Sequence, residues 1–360
     1  MRIIHTGDLH LDTISEISSG SKAISSGSSS AQRWRTFQRL ISYTNDWAAD
    51  LLLVSGDLFH RQPNLRQLRE VNGLFADLVH TQVVIIAGNH DFLSPGSPMA
   101  DYPWCDHITL LPTDPDSRIA FPELNTVVHG FSYSSFQTEK PFPDEVSAPQ
   151  DDQYHILMLH GGDALHLPLN FSVLEHSGFD YIALGHIHKP RIFPGRQMAY
   201  CGSPEPLDHT ETGNHGFMQL DLTPNRTQLS FVPFSHTRYI PLSLQVTPED
   251  TLFSLRKALF SRISKGSHGD LYSVTFTGTR LPEISICSEA FSDLPQIYEI
   301  LDDTAPWYDF CTLLNQHRSD LVGQYIRSFL PSGSSEEELD EVHRQALYIG
   351  LQALLDTAGN

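Results

Sequence analysis

The 360-residue sequence predicts a layered α/β fold. Three observations carry that expectation. Strand-sized apolar runs recur through the first two thirds of the chain, amphipathic helical segments separate the early ones, and the runs end in polar turns. The length fits one large domain with smaller appendages.

Each element follows from its own stretch. "RIIHTGD" is a short apolar strand entering a turn, and "AQRWRTFQRLISYTNDWAA" (31–49) has helical three-to-four spacing. "DLLLVSGD" repeats the strand and turn, "LRQLREVNGLFADLVH" (65–80) is a second helix, and "QVVIIAGNHD" is a third strand and turn. This is a βαβ rhythm. Later strands are "HILMLHGGD", "YIALGHIH", "QMAYCGS", "GFMQLDL" and "QLSFVPF", which close a first domain at about residue 235. "RYIPLSLQV", a helix over Pro248 to Ser264 and "DLYSVTFTG" make a small β/α unit, 236–305. From Pro306 the pattern turns helical, 306–360, with the Ser and Glu residues of "PSGSSEEE" reading as the N-cap of a final helix to about Leu355. Ser18 to Ser30, "SSGSKAISSGSSS", is too rich in Ser and Gly to pack, and reads as a mobile loop at the mouth of a site or a plain insertion.

Composition excludes several classes. The longest apolar runs, "LLLV" and "VVIIA", fall far short of the ~20 residues that span a bilayer. No basic stretch followed by an apolar core opens the chain, so no secretory leader is expected. Cys105, Cys201, Cys287 and Cys311 lack metal or redox spacing and read as buried thiols of a cytoplasmic protein. Lys plus Arg total 23 against 43 Asp plus Glu, a net charge of −20, the wrong sign for holding DNA by broad attraction. Any nucleic-acid role must rest on a local site.

The chemistry is concentrated where strands end, which is where sheets of this class bind ligands. Five turns qualify: "GDLH" with Asp8 and His10, "GDLFHR" with Asp57 and His60, "GNHD" with Asn89 and His90, "LHGGD" with His160, and "GHIH" with His186 and His188. Asp8 and His10 lie two apart on a segment read as extended, so both side chains should emerge on one side and grip one ion. Carboxylate, amide and imidazole donors without a thiolate suit two divalent ions such as Mn²⁺, Fe²⁺ or Zn²⁺, not a structural zinc. Such a pair, ~3.5–4 Å apart, needs a bridging carboxylate and can polarise a phosphate while activating water, so phosphate-ester hydrolysis is the natural reaction.

The ordered set resembles the calcineurin-like metallophosphoesterase superfamily, in detail its SbcD and YhaO type of DNA repair exonuclease. "GDLFHR" followed by Pro63, "GHIHKP" and "YCGSPEPLD" carry the likeness, which covers Met1 to Phe234; the small unit behind is similar to that family's capping domain. The resemblance implies a four-layer β-sandwich flanked by helices, a small α/β capping domain and a helical C-terminal tail. It implies that Asp8, His10 and His188 hold a first ion, most simply Mn²⁺, that Asn89, His160 and His186 hold a second, and that Asp57 bridges them. His90 matches the histidine that protonates the leaving oxygen or steadies the transition state, and His60 one that places the scissile phosphate. The stretch after "LHGGD" is less familiar, and His209 and His215 read as surface residues.

Two functions remain open: a Mn²⁺-dependent DNA nuclease, and a phosphodiesterase or phosphatase for a small molecule or phosphoprotein. "GNHD" in place of "GNHE" leans towards the first. A scaffold that lost its chemistry is set aside because every ligand position is filled. The implied partners are DNA and an SbcC-like coiled-coil ATPase, with a homodimer as a further assembly and no membrane. Val342, Ala346, Ile349, Leu351, Leu354 and Leu355 form a stripe that would dock the ATPase or pack on the capping domain.

Overall fold

The computed structural model describes residues 1–13, 30–223, 226–331 and 336–358. It divides into two units, Met1–Tyr239 and Ile240–Asn360. In the first, the chain runs β1 (Arg2–Thr6), α1 (Ser30–Asp46), β2 (Leu51–Ser55), α2 (Leu65–Ala76), β3 (Gln82–Ile86), β4 (Ile108–Leu110), β5 (Arg118–Phe121) and β6 (Thr126–Gly130). It continues through β7 (Tyr154–His160), α3 (Phe171–Glu175), β8 (Tyr181–Gly185), β9 (Arg191–Ile192), β10 (Met198–Tyr200), β11 (Gly216–Thr223) and β12 (Arg226–Pro233). Two six-stranded sheets result, ordered β12-β11-β1-β2-β3-β4 and β5-β6-β7-β8-β10-β9.

The central strands of each sheet are parallel: β1, β2, β3 and β4 in one, β6, β7, β8 and β10 in the other. Strands covered on both faces must be apolar at every position, which is why "LLLV" and "VVII" are unbroken. Alternate side chains go to opposite layers. Ile3, Leu51, Leu53, Val84 and Ile86 fill the space between the sheets with Val128, Ile156, Met158, Tyr181 and Ala183 of the second. Their neighbours Ile4, Leu52, Val54, Val83 and Ile85 meet Phe37, Leu40 and Ile41 of α1 and Leu68, Val71 and Phe75 of α2. The outer face of the second sheet is covered by Leu174 of the five-residue α3 and by loop residues such as Tyr133, Phe142 and Leu167. The fold is thus mixed α/β and layered as expected, with a fourth layer that is mostly loop among the described residues.

Helix ends are set locally. Asn64 caps α2, accepting from Arg66 N and Gln67 N while Gln67 Oε1 accepts from Asn64 N. The first helix ends three residues before the sequence pattern does, because Ala48 turns left-handed (φ 51°) and Ala49 N and Ala48 N bond to Thr44 O and Asn45 O, a Schellman arrangement. Buried Arg33 ties α1 to the carbonyls of Thr13, Pro206 and Leu207. The Ser-rich stretch lies outside the described residues except for Ser30, which begins α1. The cysteines are free, but only Cys201 is buried, and Cys311 is exposed, so the expectation of four buried thiols does not hold.

In the second unit β13 (Arg238–Val246), β14 (Asp270–Arg280) and β15 (Ile297–Pro306) form a sheet in that order, with α4 (Leu252–Ile263) packing Leu255, Leu259 and Ile263 against Val274 and Phe276. A separate cluster joins α5 (Phe310–Gln316), α6 (Leu321–Phe329) and α7 (Glu341–Ala358). The cap of α7 is Asp340, which accepts from His343 N; the Ser residues read as its cap fall within 332–335, outside the described residues. The apolar stripe read on this helix is not one face. Leu347 and Leu351 are buried against Ile326 and Leu330, whereas Val342, Ala346 and Ile349 are exposed. A helical angle of ~100° per residue places Leu351 well away from Ile349. Among the described residues no helix is long and apolar enough to cross a membrane.

Phe75 is fully buried and meets Phe37 edge-on at 5.4 Å. Chemical denaturation of Phe75→Ala should therefore show a loss of about 3–5 kcal/mol. The exposed Val79→Ala is the control, and its unfolding free energy should change by no more than about 0.5 kcal/mol.

Candidate metal centre

The parallel strands deliver their carboxyl ends to one edge, and the five turns meet there. The turn after β1 runs alongside the turn after β2: Asp8 N bonds to Gly56 O, His10 N to Asp57 O and Leu11 N to Leu58 O. The turn after β8 joins them through His186 N, which donates to both Asp8 carboxylate oxygens at 3.0 and 3.1 Å. The turn after β3 joins through His90 N, which donates to Asp57 Oδ1 at 2.9 Å. The turn after β7 follows His160, whose Nδ1 donates to Ser55 O at 2.8 Å.

The backbone is not extended where the sequence reading took it to be. Asp8 and His10 have φ of 51° and 44°, Asp57 51° and His186 90°. Left-handed conformations at non-glycine residues cost of order 1–3 kcal/mol each and cluster at functional sites. The two side chains converge on one point because the turn coils, not because a strand alternates. Two glycines make room for this. A Cβ on Gly88 would lie 2.2 Å from Asp57 Oδ1, and one on Gly56, itself at φ 91°, would lie 2.3 Å from His160 Nδ1.

Asp8, His10 and His188 each offer a ligand atom within 4.8 Å of the others, and so do Asp57, His160 and His186. Asp57 Oδ2 stands between the groups, 3.6 Å from His10 Nε2 and 3.4 Å from His160 Nε2. Asn89 Oδ1 lies 2.9 Å from His160 Nε2. His10 Nε2 and His188 Nε2 face each other at 3.2 Å. The residues present therefore fit cations: His160, having committed its Nδ1–H to Ser55 O, turns a lone pair towards an amide oxygen and a carboxylate, and only a proton or a cation satisfies such a crowd.

The titration behaviour has the same cause. Burial pushes Asp8 up to about 6 against the pull of His188 and His160. Burial would also raise Asp57, but the charge and hydrogen bond of His160, with His10, hold it well below the usual carboxylate range. Burial disfavours charge on His160, yet Asp57 raises it to about 9. His188 is likewise carried to about 9, against burial, by Glu211 and Asp8. Burial takes His10 well below its ordinary value, and burial with the neighbouring charge of His160 takes His186 to about 4.

His90 and His60 flank the first group. Their rings stack at 4.4 Å, His90 Nδ1 donates to His60 O, and His60 Nδ1 lies 3.2 Å from His10 Nδ1. Asp91 is buried and accepts from the backbone of Leu58, Phe59 and Gly88, fastening the third turn to the second. Burial, with the nearby charge of Asp57, raises it to about 7.

The structure adds residues that the sequence reading passed over. Asp163 bonds to His186 and His166, and Glu211 to His188. "LHGGD" ends in the same Gly-Asp pair as "GDLH" and "GDLF", which was the one available signal for Asp163; Glu211 had none. His209 is exposed as expected, but His215 is buried and bonded to Ser203 Oγ and Glu211 O, so it is no surface residue.

Residues 1–190 match the calcineurin-like phosphoesterase family. The chain belongs to that family, whose members bind a dinuclear metal site, a property the Asp and His groups fit. It is 26% identical over 286 residues to the uncharacterized metallophosphoesterase YhaO of Bacillus subtilis, covering 74% of this chain and 69% of the relative. It is 25% identical over 235 residues to the DNA double-strand break repair protein Mre11 of Methanopyrus kandleri, 59% of this chain and 50% of that one. Over 42 residues, 11% of this chain and 10% of the relative, it is 50% identical to the SbcD component of the nuclease SbcCD of Escherichia coli. The match thus spans half of that Mre11 protein and about two thirds of YhaO.

Gly88→Ala should weaken Mn²⁺ binding by about tenfold or more, since a Cβ there displaces the Asp57 carboxylate. Calorimetric titration measures it, with the far-UV spectrum of the variant remaining that of the parent.

Proposed function

We propose that the protein is a two-metal phosphodiesterase acting on DNA. In this reading Asp8, His10 and His188 hold one ion, Asn89, His160 and His186 the other, and Asp57 bridges them; Mn²⁺ suits the oxygen and nitrogen donors. The observation that carries it is the position of Asp57 Oδ2 between His10 and His160, a single carboxylate facing both groups. Bound ions of this kind polarise a phosphate and lower the pKa of water.

The chain's own residues do the rest. His90 is fixed by two bonds: its backbone N–H to Asp57 and its Nδ1–H to His60 O. Nε2 is then the nitrogen that faces a substrate, where it donates to the leaving oxygen or to a phosphate oxygen as charge builds. His60, stacked on that ring, keeps it upright and helps place the phosphate. Asp57 therefore governs both the metal groups and the acid.

The named relatives Mre11 and the nuclease SbcCD support DNA as substrate, as does "GNHD". An SbcC-like ATPase partner, a homodimer, a cytoplasmic location, a capping domain at 236–305 and a helical region at 306–360 belong to the same reading. The net charge of −20 favours a second reading, a phosphodiesterase or phosphatase for a small molecule or phosphoprotein.

The deciding assay is purified protein with Mn²⁺ on single-stranded and double-stranded DNA beside a chromogenic phosphodiester and a phosphopeptide, products resolved by size. Shortened DNA supports the nuclease; turnover of the small phosphodiester or the phosphopeptide with DNA left intact supports the second reading. His90→Asn should lower kcat by about 10²–10⁴ while two ions stay bound, and metal analysis of the variant checks the latter. Asp57→Asn should abolish turnover and bind fewer ions.

A further inference from the structure

All four imidazoles assigned to the ions have their second ring nitrogen occupied, but not alike. His10 meets the ring of His60 and His160 donates to a backbone carbonyl. The two histidines of "GHIH" instead meet carboxylates: His186 Nε2 lies 2.8 Å from Asp163 Oδ2, and His188 Nδ1 lies 2.5 Å from Glu211 Oε1. With Nε2 of His186 so engaged, Nδ1 is left for an ion; in His188 the order is reversed, and Nε2 faces Asp8 and His10.

Both carboxylates are themselves held. Asp163 Oδ1 accepts from Leu165 N and His166 N, each at 2.8 Å, the His166 ring nitrogen Nδ1 lies 3.0 Å from both carboxylate oxygens, and Oδ2 faces His186. Glu211 Oε2 accepts from Leu207 N at 2.8 Å, and the Glu211 carbonyl receives His215 Nε2, so Oε1 is presented to His188 by a loop fixed at two points. A flexible acid merely near a histidine needs no such support. The two come from different loops, after β7 and after β10, yet serve neighbouring residues of one turn.

We propose that Asp163 and Glu211 are positioning residues of the metal centre, one for each ion: Asp163 orients His186 for the second, Glu211 orients His188 for the first. A carboxylate on the far nitrogen fixes the tautomer and ring plane and makes the ligating nitrogen a stronger donor, an arrangement whose loss costs 10–100-fold in metal affinity. In this assignment neither carboxylate would be a ligand, although Asp163, His166 and His186 also offer ligand atoms within 4.8 Å of one another. The inference rests on the two-ion reading above.

The test is calorimetric titration of the full-length protein with Mn²⁺, with electron paramagnetic resonance at one and two equivalents, and His186→Ala and His188→Ala as references. Glu211→Gln should weaken one site about 10–100-fold and leave the other within about twofold, its residual spectrum matching that of His188→Ala. Asp163→Asn should weaken the other site and match His186→Ala. Glu211→Asp keeps the charge but withdraws it by about 1.5 Å, so it should recover part of the loss, and it serves should Glu211→Gln not fold. Unchanged binding in both variants overturns the inference, as does loss of both ions in either one. A third ion in the parent protein that Asp163→Asn removes makes Asp163 a ligand and also overturns it. So does a fall in the metal-free unfolding midpoint that accounts for the lost affinity. A parent protein that binds fewer than two ions, or references that bind like the parent, overturns the two-ion reading itself, and that outcome is visible without either carboxylate variant.

Discussion

The Asp57 carboxylate is the point on which the arrangement hangs. It is buried, and water does little to stabilise its charge, so the protein must do so with His10 and His160 on one oxygen and the His90 backbone N–H on the other. Those partners come from the ends of three other strands, while Asp57 itself follows β2. Satisfying one buried charge therefore fixes the relative position of β1, β2, β3 and β7 at their carboxyl ends. The demand is met because β1, β2 and β3 run parallel in one sheet, β7 runs parallel to both its neighbours in the other, and each delivers its turn to the same edge.

Closeness on this scale leaves no room for ordinary backbone. Left-handed conformations at Asp8, His10, Asp57 and His186, and glycines wherever a Cβ would strike a neighbouring donor, are the local cost of packing this many polar side chains into one cleft. The core compensates with aliphatic strands covered on both faces. Strength lies in the sheets, and chemistry lies in the turns they hold rigid.

Much of this was legible in the sequence, for physical reasons. A strand buried on both faces has to be an unbroken apolar run, so β1, β2, β3, β7 and β8 announce themselves, and a polar turn after each marks the candidate residues. What stayed hidden lacks such a signature. β4 and β5 are short strands at the sheet edges, and β15 carries "EILDD", polar because much of it is exposed. Asp163 and Glu211 act on residues 23 positions away in each case, a relation that no local spacing rule reports. The stripe on α7 failed because spacing was matched loosely; the buried line is Leu347 and Leu351, one turn apart and facing α6. His215 failed because composition cannot tell a buried histidine with two partners from a surface one.

The central claim is that one buried carboxylate joins two cation sites. Crystals of the protein soaked in Mn²⁺ and measured at a wavelength where manganese scatters anomalously test it most directly. The account predicts two anomalous peaks about 3.5–4 Å apart, one beside Asp8, His10 and His188, the other beside Asn89, His160 and His186, with an Asp57 oxygen in contact with both. A single peak, or two peaks of which only one touches Asp57, would contradict it.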